Sequence, residues 1–261
     1  MKIAVSGKGG VGKTTLAAVL ARLYAEEGRK VLAADVDPDA NLGMALGFSS
    51  GELEGLVPVS KMNKLIAERT GSDTYSPAYG KLFKMNPRVD DIPDRFAIEK
   101  NGVKLLVMGY VDVAGGGCVC PEHVVLKRLL ANLIVQRDEV VILDMEAGLE
   151  HLGRGTADFV DSFIVVIEPG ERSVQTYHNV KRLATDLGVK RVNVVGNKIR
   201  GEADREFIRS RVLPEDLLGF MSYDALIQDA DREGRAPFDS GSPVIDEIRQ
   251  IKAAIDRRLQ A

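Results

Sequence analysis

Two stretches of the chain combine residue types and spacing that could do chemistry, and the first is the glycine-rich run GKGGVGKTT at residues 7–15. It matches the pattern G-x-x-x-x-G-K-[ST] at Gly7, Gly12, Lys13 and Thr14. Such a turn can point consecutive backbone N–H groups at a tetrahedral polyanion, and a helix that begins there adds positive potential. The motif therefore predicts a nucleotide phosphate site, in which Lys13 contacts the β- and γ-phosphates and the Thr14 hydroxyl ligates Mg²⁺.

The second stretch is GGGCVCPEH at residues 115–123, which contains both cysteines of the chain, Cys118 and Cys120. Two thiolates one residue apart can bind a metal ion, but a tetrahedral site needs more ligands than one such pair supplies. A twofold dimer presents the same surface twice, so two facing C-x-C pairs could supply four sulfurs, a set that suits Zn²⁺ or Ni²⁺. Pro121 is expected to begin a helix, 121–137, whose N-terminus would help to stabilise thiolates.

Acidic residues stand at the ends of two apolar runs. Asp37 ends KVLAADVD, and Asp144 ends EVVILD. Because the carboxyl ends of parallel strands form the ligand-binding edge of an open sheet, both carboxylates are expected beside the phosphate loop. Asp144 has the pattern of a Walker B acid, which holds Mg²⁺ through water. Asp35 and Asp39 are weaker candidates, since turn or helix-cap roles explain them equally well.

Short apolar runs alternate with stretches of helical spacing along the chain. The runs are β-branched and nearly continuous, which is typical of strands covered on both faces. The alternation predicts right-handed βαβ units, and therefore an α/β fold with a mainly parallel, twisted sheet and helices on both faces. The runs cover residues 2–7, 30–37, 103–109, 139–145, 162–169 and 191–197.

A single domain is expected to include residues 1–261. A polar segment at about 51–102, which contains several prolines, interrupts the alternation and suits an insertion of short helices and loops rather than a second domain. The C-terminal stretch PVIDEIRQIKAAIDRRL is amphipathic, and it is expected to pack as a helix onto the domain.

The composition argues against several classes of protein. Lys plus Arg (35) nearly balance Asp plus Glu (38), for a formal net charge of −3, so no excess of positive charge favours a nucleic-acid partner. No apolar run approaches the roughly 20 residues of a membrane span, and two cysteines do not suggest a disulfide framework. A cytoplasmic protein with neither a nucleic-acid nor a membrane partner is expected.

The phosphate loop also contains an early lysine, Lys8, and the run KGGVGKT resembles the deviant Walker A ATPases, a family that includes MinD, ParA and the nitrogenase iron protein. The resemblance implies a P-loop ATPase that forms a nucleotide-sandwich homodimer, with Lys8 crossing the interface to touch the partner's nucleotide. It implies that Lys8, Lys13 and Asp37 are catalytic, and that Asp37 orients the attacking water and contacts Mg²⁺ through water. The implied ATP-binding residues are Gly7, Lys8, Gly9, Gly10, Val11, Gly12, Lys13, Thr14, Thr15 and Asn197, the last at the adenine edge.

Within that family, GGGCVCPEH, DMEAGLEHLGRG, NPRVDDIPDRF and IEPGERS resemble the CooC-type nickel-insertion ATPases of carbon monoxide dehydrogenase maturation. The resemblance runs along the whole chain and implies a dimer that holds Ni²⁺ or Zn²⁺ between Cys118 and Cys120 of both subunits. Its implied client is carbon monoxide dehydrogenase or acetyl-CoA synthase. Gly148 fits the second switch, whereas Glu146 stands where the family often has a small residue or proline. The roles of Glu146 and His151 therefore stay open.

Other functions fit parts of the same sequence. The interfacial thiolates could instead hold an iron–sulfur cluster, which would make the chain a cluster scaffold or carrier ATPase. A positioning ATPase of the MinD or ParA type would not need the cysteine pair. The cysteines themselves could be inert or form a redox-active pair.

Overall fold

The computed structural model describes residues 1–72, 83–109, 120–146, 159–189 and 191–260. Cys118, Gly148 and His151 lie outside these ranges.

The described residues form an eight-stranded sheet with helices on both faces. Its strands are β1 (Lys2–Gly7), β2 (Val31–Asp35), β3 (Ile98–Lys100), β4 (Val103–Val107), β5 (Val140–Asp144), β6 (Ser162–Ile167), β7 (Val192–Ile199) and β8 (Leu217–Ser222). Across the sheet the order is β3-β4-β2-β5-β1-β6-β7-β8, and every neighbouring pair is parallel except β3 with β4. The predicted α/β fold with a mainly parallel sheet is therefore confirmed.

The six apolar runs all form strands, and two further strands were not predicted. The central strands β1, β2, β5 and β6 are buried at every residue, which explains why they lack alternation. β3 is short and charged, whereas β8 (LLGFMS) contains a glycine and has no β-branched residue. Both are poor matches to a buried-strand pattern, and both lie at an edge of the sheet.

Helices cover both faces of the sheet. They are α1 (Lys13–Glu26), α2 (Leu42–Ala45), α3 (Ser50–Leu53), α4 (Asn63–Thr70), α5 (Ile92–Phe96), α6 (Pro121–Val135), α7 (Glu171–Leu187), α8 (Glu202–Arg209), α9 (Ala225–Arg232) and α10 (Val244–Gln260). One face buries apolar residues of α4, α6 and α7, and the other buries those of α1, α2 and α10. Ile248, Ile251 and Ile255 of α10 are at most 1% exposed, which confirms that the C-terminal helix packs onto the domain.

The segment 51–102 contributes helices and one strand. It contains most of α3, then α4 and α5, and it ends in β3, which pairs with β4 at the edge of the sheet. α4 packs against α6, the helix that begins just after the cysteines. Within the described ranges, no helix is both long enough and apolar enough to cross a membrane.

Gly196 in β7 offers a test of the packing beside the site, because a Cβ there would lie 2.6 Å from Phe220 Cδ1 and 2.8 Å from Ile208 Cδ1. We expect Gly196→Ala to lower the free energy of unfolding by about 1–3 kcal/mol, the usual cost of overpacking. Urea denaturation measures it. Gly51→Ala is the control, since a Cβ at that helical position would meet no described atom within 4 Å. Equal stability of the two variants would contradict the packing described here.

Candidate functional site

The strand order brings three of the predicted motifs to one edge of the sheet. β2, β5 and β1 are neighbours, and all run in the same direction. The phosphate loop follows β1, Asp37 follows β2 and Asp144 ends β5, so the loop and both carboxylates share the carboxyl edge. The predicted placement of these residues is correct.

Two glycines of the phosphate loop are required by close contacts. Gly7 has φ 149° and Gly12 has φ 96°, values in the region that favours glycine. A Cβ at Gly7 would lie 2.5 Å from the Val166 carbonyl oxygen, and one at Gly12 would lie 2.1 Å from Asn197 Nδ2. The glycines therefore let the loop pass close to β6 and to the end of β7.

Lys13 and Thr14 begin α1 and contact the two predicted acids. Lys13 is only 6% exposed, and its Nζ lies 3.6 Å from Asp37 Oδ2. Thr14 Oγ1 donates a hydrogen bond of 2.7 Å to Asp144 Oδ2. Lys8, in contrast, is exposed on the loop.

Asp144 has the properties of a magnesium ligand. Its Oδ1 is buried and has no hydrogen-bond partner among the described residues. Burial raises the pKa of Asp144 to about 6, and the Asp37 charge adds to the rise, whereas the Thr14 hydroxyl and Lys13 oppose it. A buried carboxylate oxygen without a partner, beside a threonine hydroxyl, fits the oxygen ligands that Mg²⁺ prefers. Asp144, Thr14 and Asp37 are the residues that would hold the ion.

Asp35 proves to be more than a turn residue. It is fully buried at the end of β2, in register with Asp144. Its Oδ1 accepts from the Asp37 backbone N–H at 3.2 Å, and its Oδ2 accepts from the Leu42 N–H at 2.9 Å. Burial raises the pKa of Asp35 to about 7. Asp39 is exposed, so the structure separates two acids that looked equivalent in sequence.

Asn197 ties the phosphate loop to the sheet. Its Nδ2 donates to the Val11 carbonyl oxygen at 2.7 Å, and its Oδ1 accepts from the Lys198 backbone N–H at 2.7 Å. Lys198 itself has φ 57°, an uncommon conformation for a residue other than glycine. This tether was not predicted, because nothing in the sequence indicates which strand end lies beside the loop.

A cavity of about 540 Å³ opens beside the loop, a volume within the range of ligand pockets. Gly12, Thr14, Thr15 and Asn197 line one side. Further walls come from α2 and from the region of β8 and α9, which carried no recognisable motif; these residues include Asn41, Met44, Ala45, Ser222, Tyr223, Asp224, Ile227 and Gln228.

Cys120 occupies the N-cap position of α6, and Pro121 begins the helix as predicted. The Cys120 Sγ accepts from the His123 N–H at 3.4 Å. Burial nevertheless raises the pKa of the Cys120 thiol, and Glu122 raises it further, so the His123 N–H is outweighed. The helix N-terminus thus favours the thiolate as expected, but burial and Glu122 together have the larger effect on the Cys120 pKa. The predicted ligand Cys118 lies outside the described residues.

Comparison with known proteins decides the family. Residues 2–238 match the CobQ/CobB/MinD/ParA nucleotide binding domain, called CbiA. The chain belongs to this family. As the sequence predicts, this CobQ/CobB/MinD/ParA-family protein is an ATPase.

Relatives and solved structures extend the comparison. Carbon monoxide dehydrogenase accessory protein CooC of Rhodospirillum rubrum is 47% identical over 259 residues, which cover 99% of this chain and 97% of that protein. An uncharacterized ATP-binding protein of Methanocaldococcus jannaschii is 45% identical over 254 residues, 96% of each chain. The septum site-determining protein MinD with Mg-ADP from Pyrococcus horikoshii has a TM-score of 0.66 at 22% identity, covering 98% of this chain and 96% of that one. The last likeness shows the shared fold of the CobQ/CobB/MinD/ParA family.

The buried acids of this family member predict how stability depends on pH. Asp35 and Asp144 have folded-state pKa values of about 7 and about 6, above the ordinary 3.8. Between pH 4 and pH 7, roughly, the folded state therefore binds more protons than the unfolded state, and the free energy of unfolding falls as pH rises. Without Mg²⁺ or nucleotide, we expect Asp144→Asn to remove about 2 kcal/mol of this fall, at about 1.4 kcal/mol per pKa unit.

Urea denaturation at about pH 4 and about pH 8, roughly the two sides of that window, measures the difference. The asparagine can keep a hydrogen bond to Thr14, so the comparison isolates the charge. Asp39→Asn, at an exposed position, is the control and should leave the pH dependence unchanged. A pH dependence of Asp144→Asn identical to the parent would rule out the buried charge as its cause.

Proposed function

We propose that this ATPase is a metallochaperone that dimerises with nucleotide and delivers nickel to carbon monoxide dehydrogenase or acetyl-CoA synthase. The observation that carries the proposal is the 47% identity to the carbon monoxide dehydrogenase accessory protein CooC over 99% of the chain. The metal is the cargo, held between the C-x-C pairs, Cys118 and Cys120, of two subunits.

The position of Cys120 supports a link between metal and nucleotide. β4 runs parallel to β2, so the connection from β4 to α6 leaves the sheet at its carboxyl edge. Cys120 begins α6 and therefore lies at the same edge as the phosphate loop. Among the described residues, no group of three or more Cys, His, Asp or Glu could hold a metal ion. In the proposed dimer, the C-x-C pair of the second subunit would supply the additional ligands.

The contacts of Lys13 and Asp37 support a mechanism in which the site positions the phosphates and the attacking water. Lys13 is paired with Asp37 in the structure, and a triphosphate would compete for the lysine because it carries more negative charge. Binding would then release the Asp37 carboxylate, which would orient the attacking water. When bound between Thr14, Asp37 and Asp144, Mg²⁺ would neutralise charge on the phosphates.

The cavity beside Asn197 supports binding of the nucleoside. The Asn197 amide keeps one N–H and one oxygen lone pair beyond the two hydrogen bonds described, and these could contact adenine. Its first role would be to hold the loop, and its second would be to bind the base.

Metal binding can be tested directly. We expect one Ni²⁺ or Zn²⁺ per dimer, with the amount bound depending on ADP or ATP, and we expect Cys118→Ser/Cys120→Ser to lose it. Elemental analysis and equilibrium dialysis of the anaerobically purified protein measure the stoichiometry. His178→Ala is the control: His178 is exposed on α7 and is of a residue type that can ligate metals, so its removal should leave the bound metal unchanged.

Nickel that stays bound to the double cysteine variant at the same stoichiometry would overturn the metallochaperone proposal. Iron and sulfide in place of nickel or zinc, with the visible absorbance of a cluster, would instead favour a cluster carrier. ATP-dependent co-sedimentation with liposomes or DNA, unaffected by the cysteines, would favour a positioning ATPase.

The proposed crossing of Lys8 gives a second test. Since Lys8 is exposed, we expect Lys8→Ala to keep ADP binding but to lose hydrolysis by about 10²-fold or more, as for charged groups supplied in trans to phosphoryl transfer. Mixing Lys8→Ala with Lys13→Ala subunits should restore activity, because the mixed dimer has one complete site.

Steady-state phosphate release measures both parts of this test. Lys30→Ala is the control, an exposed lysine just before β2 at the opposite edge of the sheet. Full turnover by Lys8→Ala would remove the case for a crossing lysine.

A further inference from the structure

One buried carboxylate holds together two segments that belong to different parts of the nucleotide site. Asp35 accepts from the backbone N–H of Asp37 through one oxygen and from that of Leu42 through the other, at 3.2 and 2.9 Å. The intervening residues 38–41 are exposed. The Asp35 side chain therefore closes this surface loop from inside the protein.

The two anchored segments face different parts of the nucleotide. Asp37 contacts Lys13 of the phosphate loop. Leu42 begins α2, and Asn41, Met44 and Ala45 line the cavity beside the loop. The position of α2 and the position of the Asp37 backbone are thus set by the same carboxylate.

We propose that Asp35 is a positioning residue for ATP hydrolysis, which fixes the Asp37 carboxylate relative to α2 and the nucleotide cavity. Because Asp35 is fully buried and accepts from the Asp37 backbone N–H, it would act through the backbone of Asp37 and not by contact with the phosphate or the attacking water. The proposal rests on the ATPase activity and the nucleotide site, and it is independent of which metal the protein carries.

The chemistry of the contact requires a carboxylate. Both backbone groups are donors, so the side chain at this position must accept through two oxygens. An asparagine has one acceptor oxygen, and its amide nitrogen would meet a second N–H. Asp35→Asn therefore breaks one of the two hydrogen bonds with almost no change of volume.

The test compares Asp35→Asn with Asp39→Asn, an exposed neighbour in the same loop. For Asp35→Asn we expect kcat to fall by about 10-fold or more, because a small displacement of a positioned group is costly. The KM for ATP and the ADP affinity should change by about threefold or less. Hydrogen exchange of residues 36–46 should become faster in Asp35→Asn and stay unchanged in Asp39→Asn.

The split between kcat and KM separates positioning from a general structural role. An unchanged kcat would overturn the proposal. A fold-loss of ADP affinity as large as the fold-loss of kcat, together with a lower thermal midpoint of unfolding, would overturn it too. If Asp35→Asn does not fold, Asp35→Ser provides the same comparison with a smaller side chain. Failure of the nickel-binding test would not affect this result. A parent protein without ATPase activity would remove the basis of both the positioning role of Asp35 and the proposed metallochaperone function.

Discussion

The burial of two acidic side chains at the carboxyl ends of β2 and β5 is the constraint on which the site depends. Asp35 and Asp144 are in register and at most 1% exposed, so the edge of the sheet carries negative charge that water cannot solvate. Burial raises the pKa of both groups, and each is partly satisfied by a different segment. Asp35 is satisfied by the backbone of the loop after β2, and Asp144 by Thr14. Asp144 Oδ1 has no hydrogen-bond partner among the described residues, and a cation there would relieve the remaining cost of burial.

The phosphate loop is held in its shape by contacts from outside it. Gly7 passes the backbone of β6 too closely for a side chain, and Gly12 passes the Asn197 amide in the same way. The Asn197 bond to Val11 then fixes the middle of the loop. Preorganisation of this kind lets backbone N–H groups face a phosphate without a further loss of conformational entropy. The conformation of the loop therefore depends on both the two glycines and Asn197.

The sequence predicted the parts of the fold and the site that depend on local pattern. Six buried strands, the starts of α1 and α6, and the meeting of the loop with Asp37 and Asp144 all follow from apolar runs and from the parallel-sheet rule. β8 was missed because a glycine-containing edge strand has no buried-strand pattern. The roles of Asp35 and Asn197 were missed for another reason. Their partners are backbone groups, which any residue type supplies, so no side-chain pattern marks them.

At Cys120, burial outweighs the effect that a helix N-terminus has on the pKa of a thiol. A helix N-terminus favours a thiolate, and the His123 N–H does donate to Sγ. The sequence shows Glu122 two residues away but not that the thiol is half-buried, and burial is the largest cause of the raised pKa.

Backbone contacts along the carboxyl edge join the loop after β2 to the end of β4 and to Ser60. The Asp35 carbonyl oxygen accepts from the Met108 N–H at 2.9 Å, so the loop anchored by Asp35 is hydrogen-bonded to the end of β4. The Met108 carbonyl oxygen accepts in turn from the Ser60 N–H at 3.0 Å. In the sequence, the C-x-C stretch and α6 follow β4. Because a close-packed interior transmits strain, a shift of the Asp35–Asp37 segment on nucleotide binding would act on the end of β4, the strand that precedes the cysteines in the sequence. Under the proposed function, this edge of the sheet is the path along which nucleotide binding would act on the metal site.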